Sequence, residues 1–74
     1  MKTTEAVREV MKRQEVGVNA LAAKLDSPPR RISERLSQEN ISISKLREML
    51  RILDYKVVIV PRTTRLPEGG IEIE

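Results

Sequence analysis

The side chains of this 74-residue chain best suited to chemistry are crowded into one short stretch: Lys24, then Arg30, Arg31, Ser33, Glu34 and Arg35, with Ser37 and Asn40 just beyond. Covalent chemistry is not what they offer. The chain has no cysteine and no histidine, which excludes disulfides, thiolate metal sites and imidazole catalysis together. Glu34, Glu39 and the scattered lysines form no acid–base pair, nucleophile arrangement or metal-ligand cluster, so no enzyme, metal site or cofactor is expected. Such a cluster is equipped to hold an anion. Lysine and arginine neutralise phosphates, arginine donates two hydrogen bonds to guanine, glutamate accepts from cytosine, and serine contacts several bases.

The charge balance points the same way. Fourteen basic and eleven acidic residues give a net +3, but Glu68, Glu72 and Glu74 lie in the last seven positions. Residues 1–66 therefore carry fourteen bases against eight acids, a net +6. A basic body suits an anionic partner such as nucleic acid, although basic surfaces without a partner are also common. Tyr55 is the only aromatic residue, too little for the stacking platform of single-strand or RNA recognition, and its expected job is packing. The apolar run Val57 to Val60 is far short of a membrane span, and the N-terminus lacks the apolar core of a signal peptide, so a cytoplasmic protein without a membrane partner is expected.

The elements that must position these residues follow from hydrophobic spacing. Ala6, Val7, Val10 and Met11 share one face of a first helix, which Thr3 or Thr4 can cap. Gly17 punctuates the chain, and Val18, Leu21, Ala22 and Leu25 then give a second helix about two turns long. Proline cannot continue a helix but suits its first turn, so Pro28 and Pro29 open a third helix, at about 28–37, with Ser27 as its expected N-cap. Ile32 and Leu36 point inward from it, while Arg30, Arg31, Ser33, Glu34, Arg35 and Ser37 occupy the rest of its surface.

A polar break at Gln38 to Asn40 leads to a fourth helix, capped by Ser42, with Leu46 reaching back to Ile41 as a hydrophobic staple. Its buried stripe is Ile43, Leu46, Met49, Leu50 and Leu53. At Tyr55 the pattern changes. Val57, Val58, Ile59 and Val60, ended by Pro61, predict a strand buried on both faces. Ile71 and Ile73 alternate with Glu72 and Glu74 after a turn at Pro67 to Gly70, which predicts a second, edge strand or else a frayed tail. The expected fold is mainly α: four helices over residues 1–54, then a C-terminal β-strand or hairpin over 55–74 in the same compact unit.

Two helices crossing at a steep angle to read DNA need a small residue where their backbones meet, and Ala22 fits that position. Leu21 and Leu25 anchor the first of the pair; Ile32, ten residues after Ala22, and Leu36 anchor the second. The run Leu21-Ala22-Ala23-Lys24-Leu25, followed after six residues by Ile32-Ser33, resembles the Cro/CI-type (XRE family) helix-turn-helix repressors. Asn40-Ile41-Ser42-Ile43, then Leu46, Met49, Leu50 and Leu53, then Tyr55 to Pro61, looks like the fourth helix and terminal strand of many phage and antitoxin-like members. The resemblance spans residues 5–61 and implies a lambda-repressor-like domain.

By that resemblance the segment Val18 to Leu36 enters the major groove of double-stranded DNA. Arg30, Ser33 and Glu34 match family positions that face base edges, with an ion pair between Glu34 and Arg30 or Arg31 as the alternative. Lys24, Arg31 and Arg35 flank them as phosphate clamps, and Ser37 and Asn40 stand where the family approaches the sugar–phosphate backbone. Three positions depart from the pattern: Val18 replaces a common glutamine that touches phosphate, Asp26 replaces the turn glycine, and Ser27 replaces an apolar residue. Pro28 and Pro29 offer no polar side chain, so base reading begins at Arg30.

A domain of this size buries only roughly 60% of its unfolded surface, which makes help from a second subunit plausible. Tyr55, Val57, Val58, Ile59 and Val60 are the expected dimerisation element, because an exposed apolar strand edge invites pairing. A two-fold homodimer would set two reading helices about one turn of DNA apart, matching a palindromic operator. The expected function is a DNA-binding transcriptional regulator, most simply a repressor. The alternatives are an antitoxin that also binds a toxin protein, and a protein-binding adaptor that uses the same scaffold without DNA.

Overall fold

A computed structural model describes residues 1–74 as an all-α domain of four helices and no strand: α1 (Thr3–Gln14), α2 (Val18–Lys24), α3 (Pro29–Leu36) and α4 (Ile43–Ile52). α2 packs against α3, and α1 lies against both α3 and α4. Twelve buried residues form one core, to which each helix contributes: Val7, Val10 and Met11, then Leu21 and Ala22, then Ile32 and Leu36, then Leu46, Met49 and Leu50, with Ile41 and Leu53 at the ends of α4. Ala22, Leu21 and Ile32 have no exposed surface.

Three helices end in the same way. The amides of Val16, Ser27 and Tyr55 reach back to the carbonyls of Met11, Ala22 and Leu50 at 2.8–2.9 Å, and the preceding amides of Glu15, Asp26 and Asp54 reach Lys12, Ala23 and Arg51. This is the paired hydrogen bonding of the Schellman motif, which needs a left-handed residue. Glycine normally supplies it, but here Glu15, Asp26 and Asp54 do so at φ 56°, 53° and 64°. Asp26 thus carries the turn between α2 and α3 at the position where the resemblance has glycine. Ser42 caps α4, its hydroxyl accepting from the Lys45 amide at 3.3 Å, and Ile41 and Leu46 are both buried as the staple requires.

Three expectations within the helices are corrected. Thr3 and Thr4 do not cap α1: Lys2 is the N-cap residue, and its amide donates to the Glu5 carboxylate at 2.7 Å. Ser27 does not cap α3, since Pro28 holds the N-cap position and the Ser27 hydroxyl turns to the Leu25 carbonyl. Pro29 at the first helical position has no amide to satisfy, so little is lost by that. Ile43, the first residue of α4, leaves the buried stripe and is 63% exposed. Leu25 is half-buried and packs on the core from its rim.

The two threonines instead tie α1 to the loop after α3. Thr3 Oγ1 donates to Asn40 Oδ1 at 3.2 Å and accepts from the Ile41 amide at 2.9 Å; Thr4 Oγ1 meets the Gln38 and Glu39 carbonyls at 2.6 and 2.9 Å. Both threonines are buried. Thr3→Val keeps the shape but strands the Ile41 amide, and an unsatisfied buried donor costs about 1–3 kcal/mol. The expected result in urea denaturation is a loss of that size, and an unchanged midpoint would show the network to be energetically silent.

The largest correction concerns residues 55–74, which form neither the strand nor the hairpin. Val57 to Val60 have no regular secondary structure and exposed side chains, Ile59 completely so, and Ile71 to Glu74 form no strand either. β-branched residues favour a strand only where a neighbouring strand takes up the backbone groups. None of the four helices can do that. The segment crosses the face made by α1 and α4 and returns to the N-terminus, where Ile71 packs on the core. No helix is long and apolar enough to cross a membrane.

Candidate nucleic-acid interface

α3 has eight residues and buries only Ile32 and Leu36. Apart from Arg35, the rest of it faces outward, and the side chains on that surface are Arg30, Arg31, Ser33 and Glu34. Arg30 and Glu34 form an ion pair across one turn, Nε to Oε1 at 3.2 Å, with 90% and 66% of their side chains exposed. This is the local pairing that the sequence offered as the alternative for Glu34. Arg31 is exposed with no carboxylate within 4 Å, and so is Lys24 on the last turn of α2.

The remaining sequence-derived candidates are held more tightly. Arg35 is only 14% exposed, laid against α4 with its guanidinium 3.4 Å from the Glu48 carboxylate. Ser37 spends its single hydroxyl proton on the Glu34 carbonyl at 2.7 Å. Asn40 accepts at Oδ1 from the Thr3 amide at 3.1 Å as well as from its hydroxyl. A backbone N–H can only donate, so the atom facing it must be the oxygen, and the Asn40 Nδ2 donors are left at the exposed surface. The arrangement therefore groups Arg30, Arg31, Ser33 and Glu34 on one helix face, with Lys24 and Asn40 at its two ends in sequence. Arg35 and Ser37 are already engaged with the protein.

Side chains from α1 that spacing alone does not single out fix the far ends of this frame. Arg8 donates to the Leu36 carbonyl at 3.0 Å, placing a cation on the C-terminus of α3, where the helix dipole favours it. Gln14 Nε2, an uncharged donor, bonds the Leu53 carbonyl at the end of α4 at 2.6 Å. Such contacts join residues 28 and 39 positions apart and leave no local pattern in the sequence. Arg47 and Arg51 also lack carboxylate partners, and they border a shallow depression with Leu25 and Ile52.

Tyr55 and Val57 to Val60 line a groove of about 780 Å³ whose body wall is Ala6, Val10, Leu46 and Leu50, from α1 and α4. Tyr55 is half-buried, and its hydroxyl accepts from Arg13 Nη1 at 3.3 Å. That bond, opposed by burial and helped by Glu9, holds the Arg13 guanidinium above its ordinary range. Arg13 thus bridges Tyr55 and the Gly69 carbonyl, two residues of the groove's lining. No protein-family model, no curated protein and no solved structure matches this chain.

Proposed function

We propose that this protein is a sequence-specific, double-stranded-DNA-binding transcriptional regulator, a repressor of the lambda-repressor-like helix-turn-helix kind, working as a homodimer that lays α3 in the major groove. One observation carries the reading: a short helix anchored by only Ile32 and Leu36 presents two arginines, a serine and a glutamate to solvent. It is seated on α2 at a point where Ala22 is fully buried. Arg35 apart, a helix held by two apolar residues has its outer surface free for a groove wide enough to admit it. Arg30, Ser33 and Glu34 read base edges; Lys24, Arg31 and the Asn40 amide bind phosphates and set the register.

Titration of the labelled protein with duplex DNA at low salt is expected to move amide resonances over residues 24–40 and to leave α1 residues remote from Asn40 unmoved. Binding should weaken linearly in log salt, with about 0.9 counterions released per phosphate contacted. Absence of shifts over 24–40 would defeat the DNA reading and leave the adaptor reading standing.

A further inference from the structure

α3 begins on two prolines, both of them exposed. Pro28 holds the N-cap position at φ −63° and ψ 139°, and Pro29 is the first helical residue. A helix normally opens with several free amides that suit a phosphate. Here that supply is nearly gone. Pro28 and Pro29 have no N–H, the Ser27 amide is spent on the Ala22 carbonyl at 2.9 Å, and the Arg31 amide is spent on the Pro28 carbonyl at 3.0 Å. Asp26 adds an exposed carboxylate just before the tip, with no cation within 4 Å. The tip of α3 is therefore apolar, poor in donors and preceded by a negative charge, which suits a phosphate badly.

Among the groups that base pairs present in the major groove, the apolar one is the C5-methyl of thymine. Proline is well suited to meet it, since its ring is already fixed and loses no side-chain freedom on burial. We propose that Pro28 and Pro29 form an apolar seat for the C5-methyl group of a pyrimidine, at the base pair next to the one that Arg30 reads. The inference rests on the placement of α3 in the major groove and adds an apolar contact to the hydrogen bonds of Arg30, Ser33 and Glu34. Adjacency follows from the chain, because Arg30 directly succeeds the two prolines and is exposed beside them. Thymine and 5-methylcytosine carry this methyl at the same ring atom, and the proline rings donate no hydrogen bond with which to tell them apart.

A duplex selected by the unmodified protein from a random pool provides the probe. Each thymine in turn is replaced by deoxyuridine, which deletes only the methyl, and each cytosine by 5-methylcytosine, which adds only a methyl. Every base pair contains one pyrimidine, so one of the two replacements always applies. Beside the pair where Arg30→Ala loses affinity, the unmodified protein is expected to respond to the methyl by about fourfold, the equivalent of burying one CH₂ group at about 0.8 kcal/mol. A thymine there gives a loss with deoxyuridine and a cytosine gives a gain on methylation, which identifies the source of the methyl. The Pro28→Ser/Pro29→Ser variant, which keeps a favoured residue at the N-cap, is expected to abolish the response. Selective binding with no pair lost by Arg30→Ala, or with no methyl response beside it, overturns the seat and leaves the DNA reading intact. That result comes from the unmodified protein and does not depend on the folding of the proline variant. A response that survives in the double variant takes the methyl away from the prolines and overturns the seat. Failure to bind any duplex overturns the seat and the DNA reading together.

Discussion

Ile32→Ala is expected to cost about 2–5 kcal/mol of folding stability, the range for truncating a buried isoleucine to alanine. The whole domain has little more to give: at 0.05–0.15 kcal/mol per residue, a chain of this size is stable by about 4–11 kcal/mol. Ile32 has no exposed surface, and with Leu36 it is all that fastens α3 to the core. Neighbouring side chains cannot collapse into the gap without moving α3 itself. Urea denaturation followed by far-ultraviolet circular dichroism should show the midpoint falling by about half at the middle of these ranges. Ile43→Ala is the matched control, since the same residue type there is largely exposed and should change stability by less than about 0.5 kcal/mol. Equal midpoints for the two variants would contradict the described packing of α3.

That contrast also shows where a sequence is legible. Ile32 and Ile43 both sit at helical spacing from other apolar residues, and periodicity assigns both to the inside. Only the direction in which α4 leaves the core separates them, and no local pattern records it. The four helices themselves were readable, because Gly17, Pro28-Pro29 and Ser42 each act on the residue next to them. Asp26 was readable for the same reason, its left-handed conformation being a property of one residue. The cap of α3 was not, because two prolines already supply the N-terminal geometry and leave Ser27 without a task. Val57 to Val60 failed most fully. Their β-branching is real, but a strand is a relation between two segments, and this chain contains no second one to pair with.

The candidate site divides along similar lines. Arg30, Arg31, Ser33 and Glu34 were legible as one outward face because they lie within five positions of a single helix. Arg35 shares that helix but points along α4, and its pairing with Glu48 depends on how two helices cross. Asn40 combines both kinds of role. Its oxygen fastens the loop to Thr3, and that bond fixes which atoms remain for a phosphate. Loss of Asn40 would therefore loosen the α1–loop junction as well as any backbone contact, whereas Arg31 has no structural partner to lose.

Arg30→Ala is expected to weaken selective duplex binding by about 1–3 kcal/mol, or about 5- to 150-fold, with the loss concentrated at one base pair of the preferred site. The ion pair with Glu34 does not stand in the way. Both partners are mostly exposed, and an exposed pair of this kind is worth about 0.2–1 kcal/mol, less than a bidentate contact to guanine. Arg30 is therefore free to leave Glu34 when a base edge is offered, and Glu34 is then released to accept from a cytosine. The variant should fold normally, because it removes no buried atom. Arg31→Ala gives the comparison: without a base to read, it should weaken all sequences alike and lower the salt slope by about one. Sites selected by the unmodified protein from a random duplex pool, then measured against both variants over a range of salt, separate the two behaviours. A uniform loss for Arg30→Ala would move Arg30 from reading bases to holding the backbone, and hydrogen-bonded base selection would then rest on Ser33 and Glu34 alone.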